Sequence, residues 1–189
     1  GKHNIPTTGA FLLAPIHRSN IDTPLAAYVT SRRLRFMGKD SIWKFAPIGW
    51  VLSALGAFPV TRGSADREAL KRCIAVLEAG EPLVLFPEGT RQSGPIVQPL
   101  FDGAAYVAVK AGVPIIPVGI GGSERVMPKG SKMIYPRKCV LVVGEPIFTP
   151  IDEAGRVPRS AVKDVTSRLF DDLQRLFDEA QRLAGTPNE

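Results

Sequence analysis

Two amphipathic stretches, Arg67–Ala79 and Phe101–Ala111, each stop on a glycine, Gly80 and Gly112, with Pro82 and Pro114 two residues further on. Glycine ends a helix in a left-handed turn and proline cannot continue one, so each pair reads as a helix stop. A short apolar run of buried-strand length follows each stop, Leu83–Phe86 and Ile115–Ile120. Similar runs stand at Phe11–Ala14, Phe58–Val60 and Val140–Val143. Strand-like runs alternating with helical segments predict an α/β fold. With 189 residues, 44% of them hydrophobic, the chain has enough apolar surface for one core, and a single domain over 1–189 is expected. From Ser160 to Ala184, Val162, Val165, Leu169, Leu173, Leu176, Ala180 and Leu183 fall on one helical stripe. This predicts a C-terminal amphipathic helix over about 160–184 that covers the core.

The net charge of +6 belongs to the body of the chain, which carries 20 basic and 12 acidic residues up to Arg159. Such an excess suits nucleic acid, an anionic membrane surface or a phosphorylated small molecule. Aromatic residues make up only 7% and no nucleic-acid motif accompanies the basic residues, so nucleic acid is not an expected partner. The clusters Arg32, Arg33, Arg35, Lys39 and Lys129, Lys132, Arg137, Lys138 read as solvated loops, with lipid headgroups or the phosphates of a nucleotide-bearing donor as their functional use. Cys73 and Cys139 lack metal-ligand spacing, so neither a metal nor a disulfide framework is expected, and a reducing, cytoplasmic setting follows. The longest uncharged run, Phe45–Thr61, is short for a membrane span and is broken by prolines and glycines. The sequence opens at Gly1 without methionine, which leaves room for an N-terminal anchor ahead of it.

His17 and Asp22 are five positions apart in Pro15-Ile16-His17-Arg18-Ser19-Asn20-Ile21-Asp22-Thr23-Pro24. On one continuous helix they would point about 140° apart and never meet. Ser19 and Asn20 are turn formers, and Pro24 suits a first helical position with Asp22 or Thr23 as N-cap, which places His17 at a strand end. There Asp22 can fix the tautomer of an imidazole acting as general base. An N-capping aspartate beside an ordinary loop histidine fits the same local pattern.

Three further segments end apolar runs. Gly56-Ala57-Phe58-Pro59-Val60-Thr61-Arg62 delivers an arginine suited to a phosphate, or simply an exposed one. Phe86-Pro87-Glu88-Gly89-Thr90-Arg91 combines a tight turn with a second guanidinium, Glu88 being free to hold Arg62, Arg91 or a hydroxyl. Val113-Pro114-Ile115-Ile116-Pro117-Val118 has no titratable group and reads as structural or acyl-lining.

In this order and spacing the four segments, within a core at residues 10–120, resemble the glycerophospholipid acyltransferase family with the His-x4-Asp motif, most like the 1-acyl-sn-glycerol-3-phosphate acyltransferases. The resemblance implies a central mixed, mostly parallel sheet flanked by helices. It implies His17 as base with Asp22 as its partner, acceptor binding by Arg62, Glu88, Gly89, Thr90 and Arg91, and structural roles for Pro114 and Pro117. Ile16 stands where family members commonly carry asparagine, and Gln92 displaces the serine that usually follows the third motif, here Ser93.

The implied reaction moves an acyl group from acyl-CoA or an acyl carrier protein to the sn-2 hydroxyl of 1-acylglycerol 3-phosphate, giving phosphatidic acid, with no cofactor. Glycerol 3-phosphate or a phosphoglycolipid would serve the same chemistry as acceptor. A serine hydrolase is disfavoured because no G-x-S-x-G elbow occurs. Trp43, Phe45, Trp50 and Val51 are expected either to enter the membrane or to line an acyl groove, unless they form a buried helix. The expected location is the cytoplasmic face of the cell membrane.

Overall fold

The computed structural model describes residues 1–60, 67–128, 130–131, 133–149 and 158–188. Six strands, β1 Leu12–Pro15, β2 Arg35–Lys39, β3 Ala57–Val60, β4 Leu83–Val84, β5 Ile115–Gly121 and β6 Val140–Val143, form one sheet in the order β3-β2-β4-β1-β5-β6. All neighbours are parallel except β5 and β6. The helices are α1 Asp22–Tyr28, α2 Ala46–Ala54, α3 Arg67–Glu78, α4 Gly103–Ala111, α5 Ser123–Val126 and α6 Arg159–Ala184. The expected glycine stops hold: Gly80 has φ 81° and Gly112 φ 64°.

β2 was expected as a basic loop, and the structure corrects this. Its Arg35 amide donates to the Pro82 carbonyl at 2.8 Å, and Phe36–Lys39 run in register with Ala57–Val60. A strand this short, with arginine and lysine at its ends, carries no apolar run to announce it; pairing on both sides makes it a strand.

The strand order places the functional end of the molecule. From β1 the chain crosses over β4 to β2, whereas from β4 it crosses over β1 to β5. The carboxyl ends of neighbouring parallel strands that send their chains in opposite directions are where open α/β sheets place ligands, and β1 and β4 are such a pair. His17 and Glu88 follow those two strand ends.

β1 and β5 are buried along their whole length, as parallel central strands require. Pro117 lies inside β5, where it has no N–H for a ladder. The pairing to the antiparallel neighbour slips by one residue between Val118↔Val143 and Ile115↔Ile147, and the prolyl residue sits in that bulge. Pro114 accepts the Leu12 amide at 3.0 Å. Both prolines therefore act in the scaffold.

Helix α6 lies directly on β5. A Cβ at Gly119 would collide with the backbone of Leu176, and one at Gly121 with that of Ala180, so the two glycines let helix and strand backbones touch. The buried face comprises Val162, Val165, Leu169, Leu173, Leu176, Phe177, Ala180 and Ala184. Leu183, expected on the stripe, is 40% exposed. There the helix meets Gly122 and Arg125 through Ala184 rather than meeting the sheet. Among the described residues no helix is long and apolar enough to cross a membrane.

Candidate active site

β1 ends where Ile16 donates to the Val118 carbonyl at 3.1 Å, and the chain then turns through residues 17–21 into α1. Asp22 is the first residue of that helix, not its cap: Ile21 holds the N-cap position and no side chain caps it. The Asp22 carboxylate turns back instead. Its Oδ2 accepts the amides of Arg18 and Ser19, both at 2.6 Å, and lies 3.0 Å from His17 Nδ1. An oxygen already receiving two N–H groups is an acceptor, so Nδ1 is the donor of this contact, and the neutral imidazole then carries its lone pair on Nε2. Asp22 is fully buried, while the His17 side chain keeps 16% of its surface accessible. The imidazole stacks on Phe86 at the end of β4, with centroids 4.1 Å apart and planes inclined by 24°. One nitrogen is thus held by a buried carboxylate, and the ring plane is fixed by an aromatic neighbour.

Glu88 lies beneath this turn and is 1% exposed. Its Oε2 accepts the His17 amide at 2.9 Å, its Oε1 accepts the Gln98 amide at 3.2 Å, and both oxygens take Arg18 Nη1, at 2.8 and 2.9 Å. A carboxylate so enclosed does not face an acceptor, so the substrate contact expected of Glu88 gives way to a contact with the histidine backbone. Arg18, which sequence reasoning passed over, is 2% exposed and is the cation of this pair. The sequence signal was its place inside the His17–Asp22 segment, but only burial separates it from a surface arginine.

The rest of the third motif wraps the same turn. Gly89 takes φ 70°, and a Cβ there would lie 2.8 Å from the Phe101 ring. Thr90 is exposed, and its hydroxyl accepts from Gln92 Nε2 at 3.2 Å. The Gln92 amide donates to the His17 carbonyl at 2.8 Å, which brings the segment bearing Arg91 against the histidine. Arg91 is half-buried with no hydrogen bond or ion pair among the described residues. Arg62 lies outside the described residues. Behind the turn is a cleft of about 600 Å³ lined in part by Arg18, Gln92, Glu124 and Gln181; His17 is not in its wall.

The three arginines of the first basic cluster are engaged within the fold. Arg32 donates to the Pro6 carbonyl at 3.0 Å and lies over Phe11, and Arg33 donates to the Ala54 carbonyl at the end of α2 at 3.1 Å. Arg35 lies 3.4 Å from Glu81. Of the second cluster, Lys129 and Lys132 are outside the described residues, and Arg137 and Lys138 are exposed.

The aromatic segment divides. Trp43 is half-buried against Gly38 and Gly49, its indole N–H donating to Ser53 Oγ at 2.9 Å. Phe45, Trp50, Val51 and Leu55 point outward, with Trp50 74% exposed, which removes the reading of a helix with two core tryptophans.

Cys73 and Cys139 are free thiols. Burial pushes Cys73 up to about 12. Cys139 is also raised, by burial first and then by Glu124 and Asp22. Arg125 acts in the opposite direction on Cys139 without overcoming burial, so neither thiol is held as a thiolate nucleophile.

A family model described as Acyltransferase matches residues 1–121. The chain is 33% identical over 117 residues to a chloroplastic 1-acyl-sn-glycerol-3-phosphate acyltransferase of Brassica napus, which covers 60% of this chain and 34% of that protein. It is 30% identical over 147 residues to the 1-acyl-sn-glycerol-3-phosphate acyltransferase of Bacillus subtilis, covering 77% of this chain and 71% of that one. The chain thus spans about a third of the plant relative's length. The crystal structure of the 1-acyl-sn-glycerophosphate acyltransferase PlsC from Thermotoga maritima superposes with a TM-score of 0.78 at 27% identity, over 95% of this chain and 69% of that one. The matched region holds all four motif segments, and the fold agrees over nearly the whole chain: this protein is a member of the acyltransferase family.

Proposed function

We propose that this chain transfers a fatty acyl group from acyl-CoA or an acyl carrier protein to the sn-2 hydroxyl of 1-acylglycerol 3-phosphate, giving phosphatidic acid. The observation that carries the reading is the His17 Nδ1 to Asp22 Oδ2 contact of 3.0 Å, which leaves Nε2 free on the accessible side of the ring. Nε2 takes the hydroxyl proton as the acceptor oxygen attacks the thioester carbonyl, and the departing thiolate receives that proton as the thioester breaks. Arg91, whose guanidinium has no partner among the described residues, is the group we assign to the acceptor phosphate, with Arg62 as the second cation. The names of the relatives support this acceptor.

The acceptor is a membrane lipid, and the outward face of α2 is suited to an anionic membrane surface. Phe45, Trp50, Val51 and Leu55 are exposed there, Lys44 flanks them, and residues 41–60 contain no acid. The free thiols of Cys73 and Cys139 support the cytoplasmic face.

The test offers the purified protein lysophosphatidate, glycerol 3-phosphate and a glycolipid acceptor with mixed acyl-CoAs, products being read by mass spectrometry. Phosphatidic acid from wild type, lost with His17→Ala, is expected. Equal rates from the two proteins would sink the proposal, and product from another acceptor alone would replace its substrate.

A further inference from the structure

We infer that Arg18 and Glu88 act as a positioning pair that sets where the His17 imidazole stands, neither of them touching the acceptor; this rests on the acyl-transfer reading of His17. Both main-chain polar groups of His17 end on the pair. Its N–H donates to Glu88 Oε2 at 2.9 Å, and its carbonyl accepts Arg18 Nη1 at 3.1 Å. The same Nη1 lies 2.8 and 2.9 Å from the two Glu88 oxygens, so one ion pair closes over the histidine peptide groups from both sides.

The pair is anchored to distant parts of the fold. Arg18 Nη2 donates to the Ile96 carbonyl at 3.2 Å, and the guanidinium lies over the Phe177 ring of α6 at 4.8 Å. Glu88 Oε1 also accepts the Gln98 amide at 3.2 Å. The strand end that carries the base is therefore tied to the end of β4, to the 96–98 segment and to the C-terminal helix. At 2% and 1% exposure, both Glu88 oxygens and both terminal Arg18 nitrogens are engaged within the protein, and Arg18 Nε, which has no hydrogen-bond partner, is buried. A general base works only within hydrogen-bond reach of the proton it takes, and a misplacement of 1 Å can cost about a hundredfold in rate.

Glu88→Gln keeps the shape but leaves one carbonyl oxygen where two served four contacts. It is expected to lower kcat by about a hundredfold while the acceptor KM stays within about twofold of wild type. In a cycle with Arg18→Met, the double variant is expected to lose little more than the worse single, because the two act as a unit. A tenfold rise in acceptor KM at unchanged kcat would instead put Glu88 on the acceptor, and additive losses would break the pair into independent residues; either result overturns the inference. Arg18→Lys, which keeps the charge, is read by the same split if Glu88→Gln does not fold.

A second readout needs no substrate and so separates this inference from the reaction assigned to the site. The protein has two histidines, His3 and His17, so selective imidazole labelling gives two NMR signals. Glu88→Gln is expected to move the His17 signal and speed exchange of its Nδ1 proton with solvent, leaving His3 in place. An unmoved His17 signal overturns the positioning role even if lysophosphatidate proves not to be the acceptor.

Discussion

His17 Nδ1 lies 3.0 Å from the same Asp22 oxygen that receives the Arg18 and Ser19 amides at 2.6 Å. One buried oxygen therefore both shapes the turn and holds the His17 imidazole. In Asp22→Asn the amide oxygen can still take all three donors that Oδ2 receives, but the negative charge that stabilises an imidazolium at His17 is lost. The fold is expected to persist by circular dichroism, while kcat falls on the order of 10³–10⁴, the scale of the same substitution in a Ser-His-Asp triad. Retention of more than a tenth of the wild-type rate would remove Asp22 from the mechanism.

The two tryptophans have opposite roles. Trp50 is solvent-exposed, so Trp50→Ala should shift stability by no more than about 0.5 kcal/mol and yet weaken flotation with anionic vesicles. Trp43 packs on Gly38 and Gly49 and bonds Ser53, so Trp43→Ala should cost roughly 1–3 kcal/mol in urea denaturation. Vesicle binding unchanged in a Trp50→Ala/Leu55→Ser variant would mean that α2 does not meet lipid.

Contact between α6 and β5 depends on the missing side chain at position 119. Gly119→Ala puts a methyl group into the Leu176 backbone, which a side-chain rotation cannot relieve. Overpacking of this kind costs about 1–3 kcal/mol, and more where backbone must move, so a fall in Tm of several degrees is expected. A melt within a degree of wild type would show that α6 can lift from the sheet freely.

Cys73 gives a pH signature. Its thiol rises from 9.0 to about 12 in the folded protein because burial disfavours the thiolate. A raised pKa contributes stability that is complete below pH 9.0 and is lost as pH climbs through about 12, since only the unfolded chain releases the proton in that window. Urea midpoints between pH 8 and 10.5 should fall more steeply for wild type than for Cys73→Ala, and native Cys73 should resist a disulfide reagent at pH 8. Equal slopes together with rapid labelling would show the thiol to be open to solvent.

Periodicity and helix stops determined much of the architecture. Leu83, Ile115 and Val140 open runs that became β4, β5 and β6, and Gly80 and Gly112 end helices as their spacing requires. These signals are legible because they act over a few residues: a glycine takes a positive φ wherever it stands, and an apolar run seeks burial in any fold. The same local character made β2 invisible, since Arg35–Lys39 becomes a strand only through pairing with segments 21 and 48 residues away.

The candidate site divides in the same way. The sequence by itself determined that His17 and Asp22 stand across a turn from one another, because Ser19 and Asn20 are turn formers between them and Pro24 suits the start of the helix that follows. It did not determine that Asp22 holds that turn instead of capping α1, nor that Glu88 reaches back to the His17 peptide while Arg18 closes over both. Glu88 and Arg18 are 70 positions apart, and they meet because β4 is the parallel neighbour of β1, so both chains leave the sheet at the same edge. Burial then turned two ordinary charged residues into a fixed pair, since an ion with no water around it has to find its partner in the protein. Residue type and spacing set the chemistry this chain can attempt; the crossing of its strands decided which atoms hold the His17 imidazole in place.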